Sequence, residues 1–246
     1  MSEGFRPYSN TPPDSFTGKL KFYGRMLLDL QALTIYKDVS KTVPAFTGDV
    51  IDVGCGQSPY KFLLNPGQTK YFGVDIVDAE KFDYHNSDIT PFNGENIPFE
   101  GDKFNGLICT EVIEHVQHYQ QLIDEMHRVM KKGGSGIITI PWSARYHYAP
   151  YDFFRYTPSS LKIMFSKFSE TKIQNRGTDL AVIGNKVIVL WFRNLLPAQA
   201  WKWIFVPFWI VTSPILAVVV AIAHLSLLLN LGTDEDPLGY TIWVKK

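Results

Sequence analysis

The sequence predicts an α/β fold with a mostly parallel, doubly wound sheet. Short β-branched runs alternate with segments whose apolar residues recur at helical spacing, a pattern typical of strands joined by crossover helices. The first such run, residues 50–53, ends abruptly at Gly54 and Gly56, where a buried strand would enter a tight turn before a helix. With 246 residues, the chain is long enough to bury one good-sized core.

The other elements follow from the same patterns. Apolar residues at helical spacing predict a helix over residues 19–41, after a proline-bearing arm over 1–18 that we expect to be flexible. A short helix is predicted over 58–64, and an amphipathic helix over 116–130 that Lys131-Lys-Gly-Gly134 closes. The remaining predicted strands are residues 70–75, 104–109, 136–140, 172–176 and 239–244.

The charge balance and the cysteines limit the function classes. Lys plus Arg and Asp plus Glu both number 24, so no overall positive charge points to a nucleic-acid partner. Cys55 and Cys109 lie in the glycine turn and at the end of a predicted buried strand. Those positions indicate neither a disulfide nor a metal site, and they fit a reducing compartment. The polar N-terminal residues lack the apolar core of a signal peptide, so we expect a cytoplasmic catalytic domain.

The spacing around the glycine turn indicates the kind of ligand. A dinucleotide-binding loop has a third glycine three residues after the second, and this chain has Pro59 there. Asp75, however, ends the next predicted strand about 20 residues on, where a carboxylate can bind a ribose diol. The turn therefore predicts a nucleotide-like ligand. A plain strand-to-helix turn and a solvated carboxylate are the alternatives.

Five blocks in this order resemble class I S-adenosylmethionine-dependent methyltransferases of the methyltransferase type 11 group. The resemblance extends from about Asp49 to Thr157 and resumes at the last strand. It implies S-adenosylmethionine as cofactor and a Rossmann-like sheet of seven strands, parallel except the last, with helices on both faces. The blocks are Asp49-Val-Ile-Asp-Val-Gly-Cys-Gly-Gln-Ser58, Tyr71-Phe-Gly-Val-Asp75, Ser87-Asp88-Ile89, Phe104-Asn-Gly-Leu-Ile-Cys-Thr110 and Glu111-Val-Ile-Glu-His115.

The resemblance also implies the contacts of the cofactor. Asp52 would anchor its amino group or order the turn through backbone N–H groups, and Asp75 would bind the ribose. Asp88 would bind the adenine amine, and Ile89 would flank the ring. The expected cofactor-binding residues are Asp52, Gly54, Cys55, Gly56, Asp75, Ile76, Asp88, Ile89, Thr110 and Glu111.

Glu111, Glu114 and His115 fall on one face of the helix expected after the 104–109 strand. Two carboxylates and an imidazole can hold Mg²⁺ or another divalent metal. Similar segments are metal sites in O-methyltransferases of quinone biosynthesis and of small-RNA 3′ ends, where the metal lowers the pKa of the acceptor hydroxyl. His147 or His118 would complete the ligand set. Alternatively, Glu111 contacts only the cofactor while Glu114 and His115 begin the helix and pack.

The segment 146–158 follows the predicted strand 136–140. It resembles the H-x-x-P-x-D-x-x-R-Y-T segment of family members often found with glycan-modifying enzymes, and ligands of this fold bind beyond the carboxyl ends of the strands. His147 is the expected general base for a hydroxyl acceptor, while Asp152 and Arg155 would orient each other or bind substrate. A structural ion pair with aromatic packing is the alternative. The candidate catalytic residues are His147, Glu111, Asp152 and Arg155.

Residues 203–230 contain no Asp, Glu, Lys or Arg, a stretch longer than the ~20 apolar residues that span a bilayer. Tryptophans at its edge, with Arg193 and Lys202, resemble an interfacial belt. A single crossing would leave the last strand on the wrong side, so we predict a hairpin that breaks at Pro207 and at 212–214. It would associate with the inner membrane face as a peripheral or monotopic anchor. An apolar helix pair at a homodimer interface or in an extra core layer is the alternative.

The predicted organisation is an arm, a methyltransferase domain over 19–186 and 237–246, and a hydrophobic helical insertion over 187–236. The expected reaction is methyl transfer from S-adenosylmethionine to an oxygen of a membrane-linked acceptor, such as a lipid-linked sugar or a quinone-type ring. One alternative is N- or C-methylation of a soluble metabolite, with the insertion as dimer interface. The other is a non-catalytic cofactor-binding subunit that anchors a partner enzyme at the membrane.

Overall fold

The computed structural model describes residues 10–76, 86 and 89–246. They form one sheet and a set of helices, joined in places by single 3₁₀ turns. The strands are β1 Gly48–Val53, β2 Thr69–Ile76, β3 Ile89–Phe92, β4 Phe104–Thr110, β5 Met130–Pro141, β6 Glu170–Arg176 and β7 Gly239–Lys245. The helices are α1 Phe16–Arg25, α2 Leu30–Thr42, α3 Tyr119–Val129, α4 Pro158–Met164, α5 Asp179–Leu195, α6 Val206–Val211 and α7 Ser213–Leu229.

The sheet has the strand order β3-β2-β1-β4-β5-β7-β6. β7 runs antiparallel to both β5 and β6, while the β1, β2, β3, β4 and β5 pairings are parallel. The predicted Rossmann-like sheet, parallel except for its last strand, is therefore confirmed. Because the chain order reverses between β1 and β4, a crevice opens at the carboxyl ends of these strands, where such folds bind ligands.

The core lies on both faces of the sheet. Successive side chains of a strand point to opposite faces, and β4 illustrates this: Leu107 and Cys109 pack with α3 and α4 on one face, while Ile108 packs under α1 and α2 on the other. All three are fully buried. This layering fixes the carboxyl end of β4, and so the residues that follow Thr110, between two packed layers.

Two predicted helices differ from the structure. The helix over 58–64 is wrong, since only Lys61–Leu63 forms a 3₁₀ turn. Ser58 adopts a φ of 52°, in the left-handed region, so it cannot be the first residue of an α-helix. The helix over 19–41 is two helices, because Asp29 caps α2 by accepting the N–H of Ala32 at 3.1 Å.

β5 is longer than predicted, and β3 was not predicted. Residues 131–134, expected to close a helix, belong to β5 instead, since the chain becomes extended at Met130 directly after α3. The register explains how they fit. Phe104 pairs with Met130 and Gly106 with Ser135, so the extra residues of β5 form a bulge with Gly133 at a φ of 80°.

Between β6 and β7 the chain forms the helical insertion. It begins with α5 at Asp179, upstream of the predicted boundary at 187, and continues through a 3₁₀ turn at Ala200–Phe205, α6 and α7. α5 and α7 cross so closely that a Cβ on Gly184 would lie 2.6 Å from the Cβ of Ala223. The Trp191 indole N–H donates to the carbonyl oxygen of Trp209 at 2.9 Å, which ties α5 to the end of α6.

The insertion carries a broad exposed surface of apolar side chains, which we name the apolar face. No single described helix is long and apolar enough to cross a bilayer, but α5 and Ala200–Val211, bent by 112°, pass that test together by length and composition. This bend lies between Leu195 and Ala200, whereas the predicted breaks at Pro207 and 212–214 fall in the first turn of α6 and at the junction of α6 with α7. The apolar face comprises Ile183, Val187, Leu190, Trp201, Trp203, Ile204, Phe205, Phe208, Ile210, Val211, Ile215, Val218, Ile222, Leu225, Leu228 and Leu229.

Candidate active site

The carboxyl ends of β1, β2 and β4 open into one cavity of about 1150 Å³. Three parts of the chain line it: the glycine loop after β1, the segment that follows β5, and α5 of the insertion, with α2 beside them. A ligand in the glycine loop would therefore share one space with a ligand against α5.

The glycine loop is held so tightly that side chains are excluded. Gly54 has a φ of 69°, and a Cβ there would overlap the side chain of Val112. On the neighbouring strand, a Cβ on Gly73 would lie 2.8 Å from the Cys55 sulfur. Gly56 also has a positive φ, of 48°. The loop therefore presents backbone to the cavity, as close approach to a nucleotide-like ligand requires.

Asp75 lies at the end of β2 and faces this loop. Its carboxylate accepts the N–H groups of Gly56 at 2.7 Å and of Ile76 at 2.8 Å. Burial raises the pKa of Asp75, and these two hydrogen bonds oppose the rise. With the carboxylate fixed by main chain, its remaining lone pairs can accept the two hydroxyls of a ribose. The backbone cradle and this carboxylate together fit S-adenosylmethionine.

Asp52 does not line the cavity. Its carboxylate lies under the loop, 2.9 Å from the hydroxyl of Tyr71, which is also 2.7 Å from the Ser58 hydroxyl. Burial raises the pKa of Asp52 to about 7, against the lowering effect of the Tyr71 hydrogen bond. Of the two expected roles, anchoring the amino group is not supported. Ordering the turn occurs through the Tyr71 and Ser58 side chains instead of backbone N–H groups.

The other expected cofactor residues fall into three groups. Ile89 begins β3 and is not among the residues that line the cavity. Asp88 lies outside the described residues. The cavity is lined by Gly54, Cys55, Gly56, Asp75, Ile76, Thr110 and Glu111.

Glu111 does not share a helix with Glu114 and His115, so their predicted common face is wrong. Glu111 has a φ of 54°, which is not helical, and it precedes the 3₁₀ turn Ile113–His115 that contains the other two residues. Its side chain pairs instead with Arg176 at 2.8 Å. The backbone N–H of Glu111 donates to Thr139 at 2.9 Å. Its side chain is thereby held away from the His115 imidazole.

Arg176 is a residue that sequence reasoning missed. It ends β6, its side chain is 1% exposed, and it also donates to the Ile140 carbonyl oxygen and the Thr34 hydroxyl at 3.2 and 3.3 Å. One guanidinium thus joins the ends of β5 and β6, α2 and the cavity-lining Glu111. No local pattern marks it, because its partners lie far away along the chain.

Glu114, His115 and His147 form a cluster where the segment after β5 meets the cavity, with one potential ligand atom from each within 4.8 Å of the others. We name the part of the cavity from this cluster to α5 the acceptor end. Glu114 is fully buried and neither carboxylate oxygen has a hydrogen-bond partner among the described residues, although Oε1 lies 3.5 Å from His115 Nε2. Burial and then the charge of Glu111 raise its pKa well above the usual value. Burial, followed by the charge of His147, lowers the pKa of His115 to about 4.

Both imidazoles are oriented by their Nδ1 atoms. His115 Nδ1 lies 2.7 Å from the Tyr151 carbonyl oxygen, and His147 Nδ1 lies 2.9 Å from the Arg145 carbonyl oxygen and 3.0 Å from Asp152. These partners only accept, so each Nδ1 carries a proton and each Nε2 keeps a free lone pair. The cluster therefore offers two imidazole lone pairs and one orphaned carboxyl group, a donor set that fits a divalent cation.

Asp152 and Arg155 do not line the cavity. Arg155 donates to both carboxylate oxygens of Asp152, at 2.6 and 2.8 Å, and the Asp152 side chain is 1% exposed. Burial alone would raise the pKa of Asp152, but the bonds from Arg155 and the His147 N–H lower it. Of the two predicted roles, orientation or substrate binding, the contacts show the first: Asp152 and Arg155 orient each other, and Asp152 also orients His147. Neither residue is positioned to bind substrate.

His118, the other proposed ligand, lies apart from the cluster. Its imidazole is 69% exposed and is 3.8 Å from Glu95. His147 is thus the residue that the fold brings to Glu114 and His115. The segment after β5 is fastened there because the Phe153 N–H donates to the Glu114 carbonyl oxygen at 2.9 Å.

The strand order, the glycine cradle and the ribose-type carboxylate define an α/β enzyme that binds a nucleoside cofactor. A profile of a methyltransferase domain matches residues 30–179, more than half of the chain. The chain belongs to this methyltransferase family and is a class I S-adenosylmethionine-dependent methyltransferase. A SAM-dependent methyltransferase from Archaeoglobus fulgidus has the same fold, with 19% identity, a TM-score of 0.52 and coverage of 94% of this chain and 99% of that one.

Two relatives of known name are similar over part of their length. The ubiquinone biosynthesis O-methyltransferase of Rickettsia prowazekii is 32% identical over 114 residues, which cover 42% of this chain and 42% of that protein. The demethylmenaquinone methyltransferase of Alkalihalophilus pseudofirmus is 28% identical over 111 residues, covering 40% and 47%. The matched region therefore spans less than half of either relative.

Proposed function

We propose that this enzyme methylates an oxygen of a membrane-linked acceptor, such as a lipid-linked sugar or a quinone-type ring. The observation that carries the proposal is the single cavity, which is lined by the glycine loop, by the histidines of the cluster and by α5 of the apolar insertion. An acceptor that lies against α5 would extend to the cofactor loop. The names of the two relatives, a ubiquinone biosynthesis O-methyltransferase from Rickettsia and a demethylmenaquinone methyltransferase from Alkalihalophilus, agree with a quinone-type acceptor.

The chemistry follows from the orientation of His147. S-adenosylmethionine supplies an electrophilic methyl group on a good leaving group, so positioning gives most of the acceleration. The acceptor hydroxyl must lose its proton, and the free Nε2 of His147 can take it. Asp152, which keeps its negative charge, stabilises the imidazolium that forms. Arg155 in turn fixes Asp152 through two hydrogen bonds.

A divalent cation is the second form of this mechanism. Glu114, His115 and His147 would hold it, and it would lower the pKa of the acceptor hydroxyl. The carboxyl group of Glu114 supports this form, since it is buried without a hydrogen bond among the described residues, which is costly. A His147 bound to metal cannot serve as base, so the two forms exclude each other and differ in their sensitivity to a chelator.

The apolar face supports association with the inner face of the membrane. Its side chains are exposed on consecutive helices, with Val211 and Leu228 at 76% and 78%. Exposed apolar surface of this extent marks a lipid or protein contact. We propose lipid as that contact and the cytoplasmic side as the location of the cavity. A homodimer would bury the same surface, and monodisperse dimers that do not float with liposomes would decide for it.

The test uses methyl-labelled S-adenosylmethionine and an extract of the source cell divided into organic and aqueous fractions, with and without EDTA. We expect label in the organic fraction. The His147→Gln variant should lose it. The His127→Gln variant should retain it, because the His127 ring packs against Phe168 and does not line the cavity. Label only in the aqueous fraction would favour a soluble acceptor and an oligomeric role for the insertion. Cofactor binding without label in either fraction would favour a non-catalytic subunit.

A further inference from the structure

We propose that the acceptor is an anionic amphiphile, whose apolar chain lies along α5 and whose phosphate group is bound by Lys186 and Arg193. The inference rests on the proposed function, which it narrows from membrane-linked acceptors in general to those with a negative charge close to the reacting oxygen. It assigns binding roles to two side chains of the insertion that lie outside the methyltransferase core.

Both cations belong to the wall of the cavity. α5 lines it with Asn185, Lys186, Ile188, Val189, Phe192 and Arg193, among other residues. Lys186 and Arg193 are seven residues apart, which is about two helical turns and about 10 Å along the axis, so they lie on one side of α5. Their side chains are long enough to converge on one anionic group from two directions.

The charge balance in the cavity leaves these two cations uncompensated. Arg25 and Asp29, which also line it, pair with each other at 2.7 Å, and Glu111 pairs with Arg176. The remaining carboxylate of the lining, Asp75, accepts main-chain N–H groups at the glycine loop. Among the residues that the structure describes, none forms an ion pair with Lys186 or Arg193. Lys186 and Arg193 are both exposed. The α5 end of the cavity therefore carries two cations without an ion-pair partner beside apolar side chains, and their charge attracts an anionic group.

The apolar part of the ligand follows from the same helix. Ile183 and Val187 are exposed on α5 and belong to the apolar face, while Ile188 and Val189 line the cavity. Leu190 does both, because it is exposed and also lines the cavity. One helix thus contributes to an apolar surface and to a cation-bearing wall. A soluble sugar phosphate would leave the apolar side of this arrangement unused, and an uncharged ring would leave the cations unused.

The test measures binding of dodecyl phosphate, dodecyl maltoside and inorganic phosphate to the full chain loaded with S-adenosylhomocysteine, below the micellar concentration, by calorimetry. We expect dodecyl phosphate to bind at least about 10-fold more tightly than dodecyl maltoside, and inorganic phosphate to compete weakly. The Lys186→Gln/Arg193→Gln double variant should lose this selectivity, and Lys186→Arg/Arg193→Lys should retain it. Lys202→Gln is the matched control, because Lys202 belongs to the insertion but does not line the cavity.

Equal affinity for the two detergents in the wild type would overturn the proposal. An equal loss of selectivity in Lys202→Gln would also overturn it, since the cations would then act only as general surface charge. Competition by inorganic phosphate at the same concentration would remove the amphiphile from the proposal. These measurements need no turnover. Intact selectivity without methyl transfer would therefore reject the proposed function, and with it the role of the amphiphile as acceptor, but would leave Lys186 and Arg193 as a binding site for an anionic amphiphile.

Discussion

The two ends of the cavity recognise their ligands by different means. At the cofactor end, main-chain groups of the glycine loop and one main-chain-bound carboxylate, Asp75, form the site, and neighbouring residues along the chain supply nearly all of it. At the acceptor end, side chains from the 3₁₀ turn after β4, the segment after β5 and α5 meet. The first end binds the nucleoside cofactor that many enzymes share, and under the proposed function we expect the second end to determine which acceptor is methylated.

The difference has an energetic side. The cofactor end lies between the packed layers of the sheet, with Asp52 and Asp75 2% and 7% exposed. The acceptor end is bounded by α5 and the apolar face, where large apolar side chains remain exposed. Variants at the two ends should therefore separate cofactor affinity from acceptor affinity and rate.

The largest effect is expected at His147. Replacing it with Ala removes the proton acceptor and should lower kcat by about 10²–10⁴-fold, with S-adenosylhomocysteine affinity unchanged. Single-turnover methyl transfer and calorimetry measure the two quantities. His127→Gln, whose ring packs against Phe168, is the control. An equal fall in cofactor affinity would show that the two ends are not separable.

The next effect concerns pH and stability. Burial raises the pKa of Asp52 to about 7 in the folded state, from 3.8 in the unfolded chain. Between these two pH values the folded state binds more protons than the unfolded chain. The contribution of Asp52 to the free energy of unfolding is therefore fully present below about pH 4 and is lost as the pH rises through 7. Asp52→Asn should remove this loss, which is on the order of a few kcal/mol. Urea unfolding at pH 5 and pH 8 measures it.

Asp49→Asn, at the start of the same strand, is the matched control for that experiment. If Asp52→Asn and the wild type lose stability in parallel between the two pH values, Asp52 is ionised in the folded protein. The buried network with Tyr71 would then have to stabilise a charge.

A smaller effect is expected for Asp75→Ala. The N–H groups of Gly56 and Ile76 would lose their acceptor and the ribose its partner, so S-adenosylhomocysteine affinity should fall about 100-fold, or about 3 kcal/mol. Dodecyl phosphate binding should not change, because α5 is untouched. Calorimetry of both ligands on one sample checks this. Parallel losses would indicate that the loop and α5 are ordered together.

The smallest effect is expected at the crossing of α5 and α7. Gly184→Ala places a methyl group against Ala223 and should destabilise the protein by about 1–3 kcal/mol through overpacking. Gly24→Ala, in α1, meets nothing within 4 Å and should stabilise by up to about 1 kcal/mol through helix propensity. Thermal unfolding compares the two. A neutral Gly184→Ala would mean that the helices separate readily.

The sequence predicts the cofactor end of the cavity better than the acceptor end. Gly54, Gly56 and Asp75 could be assigned because turn chemistry and strand ends are local properties. The helix predicted after the glycine loop was wrong for a reason that is also local, because Ser58 has a positive φ that no sequence pattern indicates. The sheet itself was predictable because strand and helix periods alternate regularly along the chain.

The acceptor end could be predicted only in part. His147 was assigned from its segment, but its meeting with Glu114 and His115 depends on how the chain after β5 folds back. The ion pair of Glu111 and Arg176 joins residues that are far apart along the chain, and it holds the Glu111 side chain outside the cluster of Glu114, His115 and His147. The placement of α5 against α2, where Asn185 accepts the Leu30 N–H at 3.1 Å, has no local signal either.

The pairing of β6 with β7 has a consequence for the insertion as a whole. Arg176 pairs with Gly239 in the sheet, so residues 177–238 leave and rejoin the domain at a single point on one edge. The length of such an insertion can change without altering the pairing of any strand. The entropic cost of closing the loop grows only slowly with the number of residues. A catalytic fold shared by many enzymes can thus gain or exchange an acceptor-side wall by lengthening one hairpin.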